Sequence, residues 1–205
     1  NLGDWSSDVC SSDLAQNLVL MSPEKFLAQY NIEARVNNEV IAIDKDKKEV
    51  TVKNVLTGEE YKESYDKLML SPGAKPIVPN IKGIEDVNVF TVRNVVDIDK
   101  LNNFVKAMET KNVSVIGGGF IGIEVAENLK EAGYNVTLIE AMPQVMKIFD
   151  YDMVQILHKE LYDQGVNLIV GDKVSSFEKD TVVLESGKKV EAGEIGRASC
   201  RERVS

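Results

Sequence analysis

The sequence predicts an α/β fold, and three observations carry that expectation. Residues 113–140 read VSVIGGGFIGIEVAENLKEAGYNVTLIE, a strand, a glycine turn, a helix and a second strand in succession. Residues 32–70 hold five short β-like runs separated by charged or glycine turns. From residue 93 onward, segments of helical period alternate with short apolar runs, as parallel βαβ units require.

In chain order, Ser22-Pro23-Glu24-Lys25 is a helix start, with Ser as N-cap, Pro at the first position and an acid in the first turn. That helix is expected to reach Tyr30. The β-like runs follow at 32–37, 39–44, 49–54, 59–64 and 67–70, with Val40, Ile43, Val50 and Val52 as the apolar positions of an antiparallel meander. Ser71-Pro72-Gly73 ends the last run. Spacing alone makes it a strand-terminating loop, while its glycine also permits close backbone approach to a ligand. Pro76 and Pro79 mark a stiff connection, and 80–96 reads as a linker into a new domain. A helix is expected over Asp97–Glu109, with Ile98, Leu101, Val105 and Met108 on one face.

The βαβ unit carries the chemistry. Val113–Ile116 runs into Gly117-Gly118-Gly119-Phe120-Ile121-Gly122, and Ile121, Val125, Ala126 and Leu129 share a face of the helix that Gly133 stops. Gly117 permits a tight turn out of the strand, Gly119 leaves room for a pyrophosphate, and Gly122 lets the helix approach the sheet. Free N–H groups at the helix start carry about half a positive charge and attract phosphate. Glu140 stands 23 residues after Gly117, at the tip of the second strand, where a carboxylate can accept from a ribose diol. It would repel a 2′-phosphate, and no Arg or Lys follows before Lys147, so NAD is expected over NADP. Beyond it come a loop at 141–150, a helix over Asp152–Gln164, a strand at Val166–Val170 and hairpin-like runs at 173–177, 181–184 and 188–191.

Composition excludes some classes. The chain has 205 residues, 43% hydrophobic and 28% charged, with a net charge of −9. No basic patch suggests a nucleic-acid partner, and no apolar run approaches the length of a membrane span. The ends look foreign. Residues 1–14 and 194–205 lack the periodicity of their surroundings, and both contain runs encodable by adapter DNA. Cys10-Ser11-Ser12-Asp13-Leu14 fits GC-TCT-TCC-GAT-CT, and Glu194-Ile195-Gly196-Arg197-Ala198 fits its reverse complement, AG-ATC-GGA-AGA-GC. Both are taken as artefacts, leaving 15–193 as an internal fragment with a net charge of −7. Both cysteines (Cys10, Cys200) and the one tryptophan (Trp5) fall in those ends, so a Cys10–Cys200 disulfide is a poor expectation. The absence of cysteine from 15–193 is compatible with a cytoplasmic setting.

YDKLMLSPGAKP (65–76), VIGGGFIGIEVAENL (115–129) and VTLIEAMPQVM (136–146) together resemble the FAD-dependent pyridine nucleotide-disulfide oxidoreductases. SPEKF, ESYDKLMLSPGAKP and FTVRN (90–94) are similar in particular to the branch of coenzyme A-disulfide reductases, NADH oxidases and persulfide reductases. The resemblance covers essentially all of 15–193. It implies a partial FAD-binding domain over 15–92 and an NAD(P)H-binding, Rossmann-like domain over 93–193 that lacks its last strand. It implies two cofactors, FAD and NAD, and a redox cysteine upstream, so no catalytic residue is expected within the chain. Ser71, Pro72 and Gly73 would line the flavin's pyrophosphate or ribityl region, and the Val36 backbone would meet adenine. Phe120 would shield the flavin, and Glu124 would stand beside the nicotinamide carboxamide. Four residues apart on a helix, those two share a face. Without the resemblance, Phe120 reads as core packing and Glu124 as a solvated charge.

Two other features invite less. His158, the only histidine, is expected as a solvated helix residue without a partner. Asp150-Tyr151-Asp152 reads as a helix-start loop rather than a metal site. The expected whole protein is a flavoenzyme, commonly a homodimer among relatives, passing hydride from NADH to FAD. Electrons would go on to a small disulfide, a persulfide or, in an oxidase, dioxygen; the fragment alone would not turn over. A non-catalytic NAD-binding sensor module is the alternative from another class.

Overall fold

The computed structural model describes residues 21–73 and 76–191. Both adapter-like ends, and the expectations attached to them, lie outside the described residues. The chain divides into two compact units, one spanning Gln16–Gly73 and the other including Ala74–Ser205.

In the first unit, helix α1 (Pro23–Tyr30) starts where expected, with Ser22 Oγ accepting from Lys25 N, and ends at Asn31 in the left-handed region. Strands β1 (Asn38–Asp44), β2 (Glu49–Asn54) and β3 (Glu60–Ser64) form an antiparallel meander in that order. Val40 faces Val52 and Ile43 faces Val50 in the register. Among the described residues of this unit, Val50 and Val52 alone are buried.

Two expected strands are absent. Residues 32–37 lie between two left-handed asparagines, Asn31 and Asn37, which break the extended backbone at both ends. Within that segment Arg35 bridges Glu33 and Glu63, each at 2.7 Å. Residues 67–70 are irregular, with Met69 89% exposed. A strand requires a neighbouring backbone to bond, and no described residue supplies one here.

The second unit is built in layers around a parallel sheet of β4 (Asn112–Ile116), β5 (Asn135–Glu140) and β6 (Asn167–Val170), ordered β4-β5-β6. Its helices are α2 (Val95–Ala107), α3 (Phe120–Glu131) and α4 (Tyr151–Asp163). An antiparallel sheet, β7 (Val174–Glu178), β8 (Thr181–Leu184) and β9 (Lys189–Glu191), completes it. Side chains alternate across a strand, so each parallel strand serves two cores. Val115, Leu138 and Leu168 enter a cluster with Val105, Ala126 and Leu161 from the helices. Ile139 and Ile169 enter a second cluster with Phe177, Val182 and Leu184 from the antiparallel sheet.

The segment expected as a linker is part of this packing. Ile81, Ile84 and Val87 pack on the second cluster, and Phe177 N donates to Lys82 O at 2.8 Å. Gly83 is pressed so closely that a Cβ there would stand 2.1 Å from Phe177 O, which no side chain permits. Helix α2 begins two residues before the expected Asp97, because Asn94 caps it: Asp97 N donates to Asn94 Oδ1 at 2.9 Å.

Candidate functional site: the glycine cleft at the tip of β5

β4 leaves the sheet through Gly117, whose φ of 108° suits glycine alone. The turn is tied to the neighbouring strand by Gly117 N donating to Ile139 O at 2.8 Å. α3 then starts against this turn so tightly that a Cβ on Gly122 would stand 1.8 Å from Gly117 O. Gly118 is equally enclosed, its would-be Cβ lying 2.6 Å from Val145 Cγ1 and 3.2 Å from Glu140 Cβ. Gly119 differs, for a Cβ there would meet nothing within 4 Å. Gly119 is also the N-cap of α3 and no side chain caps it. The first N–H groups of a helix have no acceptor within it, so an uncapped N-terminus facing open space is an anion-attracting cradle.

Glu140 closes the far side of the same cleft. Its Oε2 accepts from Gly118 N at 2.6 Å and its Oε1 from Met142 N at 2.8 Å. The carboxylate is thus fixed between the glycine turn and the loop 141–150. That loop folds back over the turn, with Met146 N donating to Gly118 O at 2.7 Å. Gly117, Gly119, Glu140, Met142 and Lys147 are among the residues enclosing a cleft of about 390 Å³.

The other expected site residues lie elsewhere. Phe120 is exposed at the start of α3, with its ring edge-on to Phe149 at 6.2 Å. Ile121 turns inward and packs against the first cluster. Glu124 is exposed and lines a separate, mainly apolar groove between α2 and α3 together with Arg93, Leu101 and Val125. In the other unit, Val36 is exposed and its carbonyl accepts from Asn38 Nδ2 at 2.8 Å. Ser71, Pro72 and Gly73 form an exposed stretch without secondary structure, with Gly73 at φ 69°.

His158 corrects its expectation. It is 8% exposed on α4, and its Nε2 accepts from Val145 N at 3.3 Å. Burial pushes its pKa below the usual histidine value. The signal was present in the spacing, because Val154, His158 and Leu161 recur at helical period and all three are buried. Among the described residues, no group of three His, Cys, Asp or Glu is placed to hold a metal. None of the described helices is long and apolar enough to cross a membrane.

The chain is similar to coenzyme A disulfide reductase of Staphylococcus aureus, 38% identical over 170 residues that make up 83% of this chain and 38% of that protein. The crystal structure of reduced Bacillus anthracis CoADR-RHD superposes with a TM-score of 0.86 at 42% identity, over 89% of this chain and 33% of that one. The water-forming NADH oxidase of Lactobacillus brevis bound to NADH gives 0.81 at 36% identity, over 89% and 41%. An engineered NADPH oxidase made from it gives 0.80 at 34%, over the same shares. The chain thus spans about two-fifths or less of each relative's length. The family model for pyridine nucleotide-disulphide oxidoreductases matches residues 9–196. Glycine cradle, strand-tip acid and this match agree, and the chain belongs to the pyridine nucleotide-disulphide oxidoreductase family.

Proposed function

We propose that this chain is the NADH-binding part, with a portion of the FAD-binding part, of a flavoenzyme that reduces a small disulfide of the coenzyme A disulfide type. The observation that carries the reading is the cleft at the tip of β5. It sets the uncapped N-terminus of α3 and the open side of Gly119 opposite a carboxylate held in place by two backbone N–H groups. That arrangement fits a nucleotide at both ends: a pyrophosphate against the helix start, a ribose diol against Glu140. Gly117, Gly118 and Gly122 shape the turn. Phe120 and Glu124, exposed on the first two turns of α3, would lie toward the nicotinamide. Val36, Ser71, Pro72 and Gly73 would contribute to the flavin site. Bound NADH supplies the hydride and bound FAD relays its electrons; the chain's own part is to hold and orient them.

Two observations support NADH over NADPH. Glu140 places a negative charge where a 2′-phosphate would stand, and its fixed hydrogen bonds prevent it from swinging aside. The engineered oxidase changes a glycine and, eighteen residues on, an aspartate, the alanine and methionine after it, and a proline five further. Here Gly122, Glu140-Ala141-Met142 and Lys147 stand at that same spacing. Lys147 is already basic at the last of these positions, so some NADPH use is expected to remain.

A full-length protein carrying this chain should purify yellow and oxidise NADH anaerobically when given coenzyme A disulfide. A colourless protein that binds NADH would instead make it a sensor module. The resemblance to the Lactobacillus oxidase favours dioxygen as the second acceptor reading, and NADH consumption only in air would select it. Glu140→Ala is expected to raise NADPH use relative to NADH about tenfold or more; an unchanged ratio would remove Glu140 from that role.

A further inference from the structure

We propose that His158 is a positioning residue for nucleotide binding: from behind the cleft, its imidazole holds the 145–146 turn that closes over the glycine loop. This rests on the reading of the cleft as an NADH site.

The geometry is a relay of single contacts. His158 Nε2 accepts from Val145 N at 3.3 Å. Val145 is fully buried, and its side chain is what presses on Gly118. The next residue, Met146, donates its N–H to Gly118 O at 2.7 Å. Gly118 N in turn donates to Glu140 Oε2 at 2.6 Å. From helix α4 to the ribose-side carboxylate, each step passes through a residue, or its chain neighbour, that the preceding bond holds.

Met146 supplies the reason that an anchor is needed. Its φ of 48° lies in the left-handed region, which a non-glycine residue with a long side chain enters only when its surroundings hold it there. His158 holds the Val145 N–H and Gly118 O holds the Met146 N–H, both ahead of the strained Met146 N–Cα bond, while Phe149 N donates to Met146 O at 2.9 Å beyond it. Removing the first would leave Val145 N buried without an acceptor and let the turn relax. Val145 would then withdraw from Gly118, and Glu140 would lose the fixed frame in which it meets the nucleotide. His158 is far enough back that nothing in this relay requires it to touch NADH, so its effect should fall on binding and not on the rate of hydride transfer.

The test compares His158→Leu, which keeps bulk but has no acceptor, with His158→Gln, whose amide oxygen can replace Nε2. Both are made in the full-length protein. The NADH dissociation constant is measured by calorimetry, and amide exchange is followed at Val145 and Met146, with β5 as the internal control for folding. The expectation is about a tenfold weaker NADH affinity for His158→Leu and a change within about twofold for His158→Gln. Val145 exchange should speed up in the leucine variant alone while β5 stays protected. Equal losses in both variants would show ordinary packing and overturn the proposal, as would a leucine variant that binds NADH like the unsubstituted protein. If the unsubstituted protein binds no NADH, the nucleotide reading falls, and slow Val145 exchange in both variants would then sink the anchor as well.

Discussion

Strands β1, NEVIAID, and β5, NVTLIE, carry similar apolar content, yet they end in opposite surroundings. Leu138 and Ile139 of β5 are 0% and 1% exposed, one in each core of its unit. Val40, Ile41 and Ile43 of β1 are 52%, 45% and 41% exposed. The difference lies in what each unit brings to cover its own sheet. The βαβ unit supplies helices for one face and an antiparallel sheet for the other. Among the described residues, the meander's unit supplies one short helix, on which Leu27 and Tyr30 remain exposed. Fully burying a side chain of this size contributes about 1.5–3 kcal/mol, so the two units differ in stability through cover and not through composition.

Hydrogen exchange on the chain should show the largest contrast. Amides of β4 and β5 are expected to exchange at least ~100-fold more slowly than those of β1, because local opening free energy follows buried contact. Equal protection would mean that the meander is stabilised by something other than apolar burial. Paired truncations sharpen the same contrast: Leu138→Ala should lower stability by about 3 kcal/mol, and Ile43→Ala by less than ~1 kcal/mol, in denaturant unfolding. Gly119→Ala separates cleft from core. A Cβ there meets nothing, so Tm should hold within a degree or two, while NADH affinity falls by roughly tenfold if a pyrophosphate must approach that spot. The smallest effect is expected from pH. His158 has its folded pKa depressed by burial, so the unfolded chain binds the proton more readily. Stability is then fully present above about pH 6.5 and declines as pH falls from there toward the depressed folded value. In His158→Gln that decline should be smaller.

What could be read without coordinates followed from local rules. The βαβ unit was legible because each of its parts has a fixed spacing, and Ser22 announced α1 through its cap. Asn94 was an equally local signal, three residues before Asp97, and would have placed the start of α2 correctly. The other failures are mostly non-local. Residues 67–70 have strand-like content, but a strand is completed only by a neighbour. The 80–96 stretch looks like a linker until Phe177, far along the chain, closes on Gly83. In the site, Glu140 was recognisable as a strand-tip acid, but its grip on Gly118 N depends on the parallel register that brings β5 beside the glycine turn. The partner of His158 is a loop N–H thirteen residues back, which no periodicity encodes.

β5 also works as a ruler. Its register against β4 sets Val136, Thr137, Leu138 and Ile139 opposite Val113, Ser114, Val115 and Ile116, and Glu140 is simply the next mark after them. A one-residue slip would exchange Leu138 and Ile139 between their two cores and carry the carboxylate off the glycine turn at the same moment. Under the proposed reading of the cleft, packing error and coenzyme error are therefore one event, and the cores that hold the strand in step would also proofread coenzyme choice. Variants that lengthen or shorten the Ala132–Tyr134 connection would then reach coenzyme choice without touching a single residue of the cleft.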